Sequence, residues 1–294
     1  MKSQRKFSFY IIGGGRAGAS LTNFLLERGH LITSLVERNP SRYQFLKNEL
    51  GWSFIEKKLD ISKMSSADIL LLTVQDDQIT RLAQNLSAMD LSWDNKICLH
   101  CSGILPSSIL LPLKERGAKV ASVHPIYSFS SNPLKNKYFD KAGISLEGDK
   151  NALDLIEKIY LTKSNKIFRV SVQGKKLIHL ASVFYANFYV ALASQCIQIL
   201  EPLGWQEKQI FEVLNPLLLS SIEQVTEVGY REGLTGPVKR GDIETLKNHL
   251  AFLKKNYPAL VNNYIVMSDQ LLKISEIPDT EHSRISALFK KFQS

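Results

Sequence analysis

Two kinds of hydrophobic pattern divide the chain. Up to Val172, short apolar runs at residues 7–12, 31–36, 68–74, 96–99, 118–123, 143–146 and 166–172 read as strands. Between them come helical spacings: Leu21, Phe24, Leu25 and Arg28 after the first run, then residues 107–116 and 151–161. Gln75-Asp76-Asp77 opens another helix, with Asp76 or Asp77 available to cap it. The run Ile69-Leu70-Leu71-Leu72 is apolar without a break, as a central parallel strand buried on both faces requires. Strand alternating with helix predicts a doubly wound, mostly parallel sheet. From Gln173 the alternation stops and only helical periods remain, over 175–203, 207–228, 243–255 and 258–274. Gly204 and Gly229 read as helix stops and Asp242 as an N-cap. The pattern therefore predicts an α/β domain over 1–172 and an all-helical second domain over 173–294.

Length and composition agree with two globular domains: 294 residues, 44% hydrophobic and 22% charged. Residues 181–203 are apolar enough to suggest a membrane span, but they contain Asn187, Gln195, Gln198 and Glu201 and read as a buried helix. The basic opening Met1-Lys2-Ser3-Gln4-Arg5-Lys6 imitates a signal peptide, yet its apolar run breaks at Gly13 without a cleavage site, so a cytoplasmic chain is expected. The net charge of +9 lies almost wholly before Gln173, where 24 Lys and Arg face 16 Asp and Glu. These cations are scattered, with no nucleic-acid motif, and suit attraction of phosphorylated ligands rather than a nucleic-acid partner. Three cysteines exclude a secreted disulfide scaffold. Cys98 and Cys101 would point to opposite faces of a strand, and no second pair completes a metal site.

The candidate chemistry starts where the first strand meets the first helix. Gly13-Gly14-Gly15-Arg16-Ala17-Gly18 has the spacing of a dinucleotide-binding turn in its proper strand-to-helix context. Gly13 allows the tight turn, Gly15 lets the backbone approach a pyrophosphate and Gly18 lets helix and strand pack closely, while the helix N-terminus offers N–H groups. Glu37 and Arg38, at the end of the second strand, stand where such folds select their ribose. Glu37 favours NAD by bonding the ribose hydroxyls, and Arg38 favours NADP by pairing with a 2'-phosphate. Because an exposed Glu37 can swing into water, NADP is the expected cofactor, with NAD possible. Val74 and Gln75 would lie over the cofactor if their strand borders the first.

A second set of polar residues falls at the carboxyl ends of the later strands: His100, Cys101 and Ser102, then His124. On the first long helix His179 and Asn187 are eight residues apart on one otherwise apolar face and need partners. Lys239 and Arg240 lie in a glycine- and proline-containing turn ahead of a helix and resemble an anion-binding site.

With the glycine turn, His100-Cys101-Ser102-Gly103, His124-Pro125, Asn187 and the 235–242 loop in view, the chain resembles an uncharacterised Rossmann-like family whose C-terminal half is a domain of unknown function. That family is similar to the 6-phosphogluconate dehydrogenase-like group, which includes pyrroline-5-carboxylate, ketopantoate and deazaflavin-dependent NADP reductases. The resemblance covers essentially the whole chain and implies a Rossmann-type sheet followed by the helical domain. It further implies cofactor contacts from the glycine turn, Val74, Gln75, Cys101 and Ser102. His124-Pro125-Ile126 resembles the histidine motif of prephenate dehydrogenases. Ser102 and Asn187 resemble the active-site serine and asparagine of hydroxyacyl-CoA dehydrogenases. The expected function is hydride transfer to or from a C–O or C–N bond of a small, anionic substrate. His124 would serve as general acid/base, Ser102 and Asn187 as donors polarising the reacting group, and Lys239 or Arg240 as a carboxylate or phosphate clamp. His179 and His100 are second candidates for the proton transfer. The cleft would form where the two domains meet, and the long apolar helices suggest a homodimer. The rival reading is a sensor that holds NAD(P) without turnover.

Overall fold

The computed structural model describes residues 5–293, so the first four residues of the basic opening read above lie outside the described residues. The first unit begins β1 (Ser8–Ile12), α1 (Arg16–Glu27), β2 (Leu31–Val36), α2 (Pro40–Gln44), β3 (Ile55–Glu56), α3 (Ile61–Ser65), β4 (Ile69–Leu72) and α4 (Asp76–Ser87). It continues with β5 (Ile97–His100), α5 (Leu111–Lys114), β6 (Lys119–Ile126), β7 (Gly143–Gly148), α6 (Lys150–Tyr160), β8 (Lys166–Arg169) and α7 (Val172–Ser182). One eight-stranded sheet results, in the order β3-β2-β1-β4-β5-β6-β7-β8. Every pairing is parallel except that of β6 with β7.

Side chains alternate across this sheet as a period of two demands. Phe9 and Ile11 of β1 join the core with Leu21, Leu25, Ile156 and Tyr160, from α1 and α6. Tyr10 and Ile12 join the opposite core with Ile79, Ala83 and Leu86 of α4. Cys98 belongs to the second core and Cys101 packs on the first, so the two sulfurs do face apart.

Several local expectations are corrected. Residues 107–116 form a 3-10 turn, Ser107–Leu110, followed by the four-residue α5. The last strand stops at Arg169 because Ser171 accepts the Gly174 N–H at 3.0 Å and starts α7. The N-cap of α4 is Gln75, without a side-chain bond, and Asp76 is occupied elsewhere.

Chain packing divides the molecule into two compact units, one ending at Asn187 and the other beginning at Phe188. The division falls beyond the point where strands stop alternating with helices, because α7 packs against β7 of the sheet. From α7 the helix runs through a π-helical turn, Val183–Asn187, into α8 (Phe188–Leu200). The second unit adds α9 (Glu207–Val228), α10 (Ile243–Asn256), α11 (Pro258–Ile274) and α12 (Asp279–Gln293), the last not anticipated from sequence. Gly204 ends its 3-10 turn in the left-handed conformation, φ +68°, as the stop signal implied. Leu246, Leu250, Val261, Ile265, Leu272, Ile285 and Phe289 form the core of α10, α11 and α12. The expectation of a buried helix over 181–203 is overturned: no residue of α8 is buried, and α9 buries Ile210 alone.

Candidate functional site

The glycine turn has three differently used glycines. Gly13 sits at φ +110°, and a Cβ there would come within 2.7 Å of the Thr73 carbonyl. A Cβ on Gly18 would stand 1.9 Å from Gly13 O and 2.4 Å from Thr73 Oγ1, so its absence permits α1 to pack against the turn. Gly15, with φ −60°, caps α1 and a Cβ there would meet nothing within 4 Å. The fold itself therefore does not need glycine at 15, whereas a ligand approaching the first-turn N–H groups of Arg16 and Ala17 does. Thr73 Oγ1 donates to Gly13 O at 2.6 Å and ties the end of β4 to the end of β1. That junction, bordered by Val74 and Gln75, is the point where strand order reverses and such sheets bind ligands.

At the end of β2, Glu37 does not swing into water. Its Oε1 accepts the Asn39 N–H at 2.7 Å, and its Oε2 lies 2.9 Å from the position of a Cβ on Gly14. Arg38 is exposed. The sequence reading missed Arg42. Its Nε donates to Gly14 O at 2.7 Å, its Nη2 to Gly15 O at 3.3 Å and its Nη1 to Ser131 O at 2.5 Å, with the guanidinium over the Phe45 ring. Burial lowers its proton affinity, opposed by the charge of Glu37. The available signal was Asn39-Pro40, which caps α2 through the Arg42 N–H and sets that arginine one turn in.

The second cluster gathers where β5 and β6 end. His100 accepts the Ser102 N–H on Nδ1 at 3.2 Å, which leaves Nε2 to donate to Pro106 O at 3.2 Å. Burial, reinforced by Lys175, drives its pKa down to about 3. Ser102 gives its single hydroxyl hydrogen to Asp76 Oδ2 at 2.7 Å and accepts from the N–H groups of Ile104 and Leu105. A hydroxyl has one donor and two lone pairs, so in this arrangement Asp76 takes the Ser102 hydrogen and the hydroxyl holds the loop. Burial pushes the Cys101 thiol up to about 12, so it remains protonated.

His124 stands between Ser145 and Gly103. Its Nδ1 lies 3.4 Å from Ser145 Oγ on the paired strand β7. Its Nε2 lies 2.8 Å from the position of a Cβ on Gly103, and His179 Nδ1 reaches within 2.3 Å of that same point. The two rings meet edge to face, 5.5 Å between centroids. Burial first, then His179 and Lys175, hold the His124 pKa down at about 4. Lys175 was also missed: it is 1% exposed, and its ammonium donates to Leu105 O and Ser122 Oγ. Lys175 and His179 share a face of α7 at the i, i+4 spacing, and this was the signal that could have found it.

The remaining candidates do not join this cluster within the first unit. Asn187 is exposed at the end of the π-helical turn, two turns beyond His179, which corrects its placement on a burying face. Lys239 and Arg240 belong to the second unit, ahead of α10. Arg240 stands 3.9 Å from Asp242, whose carboxylate caps that helix. Among the described residues no three His, Cys, Asp or Glu side chains are placed to hold a metal.

Comparisons with known proteins agree with this architecture. A Rossmann-like domain model matches residues 2–125, and the model of a domain of unknown function, DUF2520, matches residues 142–271. Among solved structures, a proposed NADP oxidoreductase from Bacteroides fragilis is similar at 20% identity and TM-score 0.75, over 90% of this chain and 98% of that one. A Thermotoga maritima protein is 29% identical with TM-score 0.64, over 91% and 98%. A pyrroline-5-carboxylate reductase from Coxiella burnetii is 15% identical with TM-score 0.56, over 93% and 100%. No curated protein matches. The chain thus matches a Rossmann-like domain and then the DUF2520 domain, the second match beginning just before β7 and so ahead of the change of hydrophobic pattern at Gln173.

Proposed function

We propose that the chain is an oxidoreductase that uses a nicotinamide dinucleotide to move a hydride to or from a C–O or C–N bond of a small anionic substrate. One observation carries this: the open face of Gly15 at the N-terminus of α1, at the switch point of a sheet whose neighbouring strands β5 and β6 end in the imidazole cluster. When bound, the dinucleotide supplies the hydride. The α1 first turn would hold its pyrophosphate, with Glu37 and Arg38 beside its ribose. NADP is the favoured form, because Arg38 stays exposed for a 2'-phosphate, although the charge of Glu37, held in place by its own loop, opposes it.

His124 takes or gives the accompanying proton at Nε2, with Ser145 on its Nδ1 side. At neutral pH its imidazole is uncharged. An anionic substrate brought alongside favours the protonated form and raises the affinity for a proton toward the working range. Lys239 and Arg240 are the proposed clamp for a carboxylate or phosphate. Asn187 is kept as a proposed donor to the substrate.

A homodimer completes the proposal. Val190, Leu217 and Leu219 are 59–66% exposed on α8 and α9, far more apolar surface than a lone soluble chain usually presents. The helix spanning Val172–Leu203 is also long and apolar enough to cross a membrane, by length and composition alone. A second copy is favoured because exposed apolar side chains are also present on α9 of the same unit, which a single span does not account for.

The experiment has two stages: thermal shift with NADP and NAD, then a metabolite screen for oxidation of NADPH or reduction of NADP. Binding with turnover supports the enzyme. Binding without turnover across carbonyl, imine and hydroxy-acid substrates favours the sensor.

A further inference from the structure

Lys175 is the most deeply buried Lys, Arg, Asp or Glu side chain among the described residues. A charge so placed is costly unless the surroundings answer it, and each neighbour here comes from a different element. Its ammonium bonds Leu105 O, in the loop that carries Gly103, and Ser122 Oγ, on β6 two residues before His124. Ser122 in turn reaches Ser102 O at 3.5 Å. Lys175 thus pins the start of α7 to both the loop and the strand that surround the imidazole pair. His179, one turn further on the same face, is thereby set against Gly103 and His124.

We propose that Lys175 is a positioning residue: its pinned ammonium sets His179 against His124 and places a fixed positive charge in the surroundings in which His124 works. The proposal rests on the oxidoreductase reading for its relevance to turnover, not for its geometry. The charged and titratable groups around Lys175 are Glu147 from β7, Asp76 from α4, Cys101 and His100 at the end of β5, and His124 from β6. Glu147 is held by the N–H and hydroxyl of Ser107 and Asp76 by Ser102, so both anions are fixed in place by other partners. Burial brings Lys175 itself down to about 8, within reach of a titration. With two of its three N–H groups given to Leu105 O and Ser122 Oγ and its side chain buried, Lys175 acts on the chemistry through His124 and not by touching a substrate.

NMR of the full-length protein, with the histidine rings and lysine side chains isotopically labelled, tests this without any substrate. In the parent, the His124 ring signal should show a second inflection at the pH where Lys175 titrates. In Lys175→Met, which keeps much of the apolar stem, the His124 midpoint should rise by about one pH unit, the order expected when a nearby like charge is removed. Lys175→Arg, retaining the charge, should restore the parent midpoint. A parent without the second inflection, or a folded Lys175→Met with an unmoved His124 midpoint, overturns the proposal. Because neither measurement reads turnover, its failure is distinct from failure of the proposed reaction. If the midpoint moves while the acid limb of kcat/KM stays put, the inference about Lys175 stands and the assignment of His124 to the chemistry falls.

Discussion

Ser145 faces His124 across the antiparallel pairing of β6 and β7, its hydroxyl 3.4 Å from Nδ1. The imidazole therefore stands in a wall of the fold rather than on a mobile loop, and its environment favours the uncharged form, with a pKa of about 4. In the unfolded chain a histidine titrates near 6.5. The unfolded state thus binds more protons than the folded one between those values, and stability must fall as pH drops through that window. His124 alone should account for a loss of about 3 kcal/mol between pH 7 and pH 4. Urea unfolding at the two pH values measures it, and His124→Asn should flatten the difference by about that amount. An equally steep fall in the variant would show that His124 is not held uncharged.

The convergence of His124 and His179 on Gly103 gives a second test. A Cβ at 103 would stand 2.3 Å from His179 Nδ1 and 2.8 Å from His124 Nε2, so Gly103→Ala must part the rings. Once a substrate is found, turnover should drop in Gly103→Ala and, by about 10² to 10⁴, in His124→Asn. Dinucleotide affinity should stay near that of the parent in both. Parent-rate turnover by His124→Asn would shift the proton transfer to His179.

Gly15 and Gly18 should behave oppositely. A Cβ added at Gly15 meets no protein atom within 4 Å, so Gly15→Val should leave the melting temperature of the free protein little changed, yet it fills the approach to the α1 N-terminus and should abolish stabilisation by dinucleotide. In the parent that stabilisation is about 2.7 kcal/mol at a hundred times the dissociation constant. Gly18→Ala would collide with Gly13 O and should destabilise the free protein by about 1–3 kcal/mol. Calorimetry of both variants with and without NADP checks the pair. Normal dinucleotide stabilisation in Gly15→Val would remove the principal support for the binding site.

What the sequence made legible follows from how local each signal is. The strands, the glycine turn and the change to helices at Gln173 are written in runs and spacings within a few residues, and the sheet and helical unit follow them. His124 and His179 could be nominated singly, but their meeting over Gly103 depends on where β6, α7 and the loop after β5 come together, which no spacing encodes. Ser102 shows the converse. Its position suggested a donor, and only the partners Asp76, Ile104 and Leu105 reveal that its hydrogen is already used. The 181–203 stretch, apolar but interrupted by Asn187, Gln195, Gln198 and Glu201, predicts a buried helix. Composition does not say whether the covering surface comes from the same chain.

Cofactor choice turns on Glu37 and Arg38. With Glu37 held by the Asn39 N–H, its negative charge remains beside Gly14, where it weakens binding of a 2'-phosphate that Arg38 would attract. Glu37→Ser should therefore tighten NADP severalfold while changing NAD little, and Arg38→Ala should weaken NADP selectively. Isothermal titration with both dinucleotides decides. Tighter NAD than NADP binding in the parent, reversed by Glu37→Ser, would assign the protein to NAD.

The last prediction concerns the apolar face of α8 and α9. Val190 and Leu217 are each 66% exposed, so neither is needed to hold its own chain together. Their exposure nevertheless costs solubility, and burying such side chains is worth about 1.5–3 kcal/mol each when the burial is complete. A stable interface removes about 800 Å² from each partner. Light scattering should give about twice the 33.2 kDa chain mass. The double variant Val190→Glu, Leu217→Glu should run at the single-chain mass with unchanged helicity, because the new carboxylates remain solvated in the free chain but would be buried in the pair. A parent of single-chain mass that partitions onto phospholipid vesicles would assign the face to a membrane instead, and a double variant still at twice the mass would move the interface elsewhere.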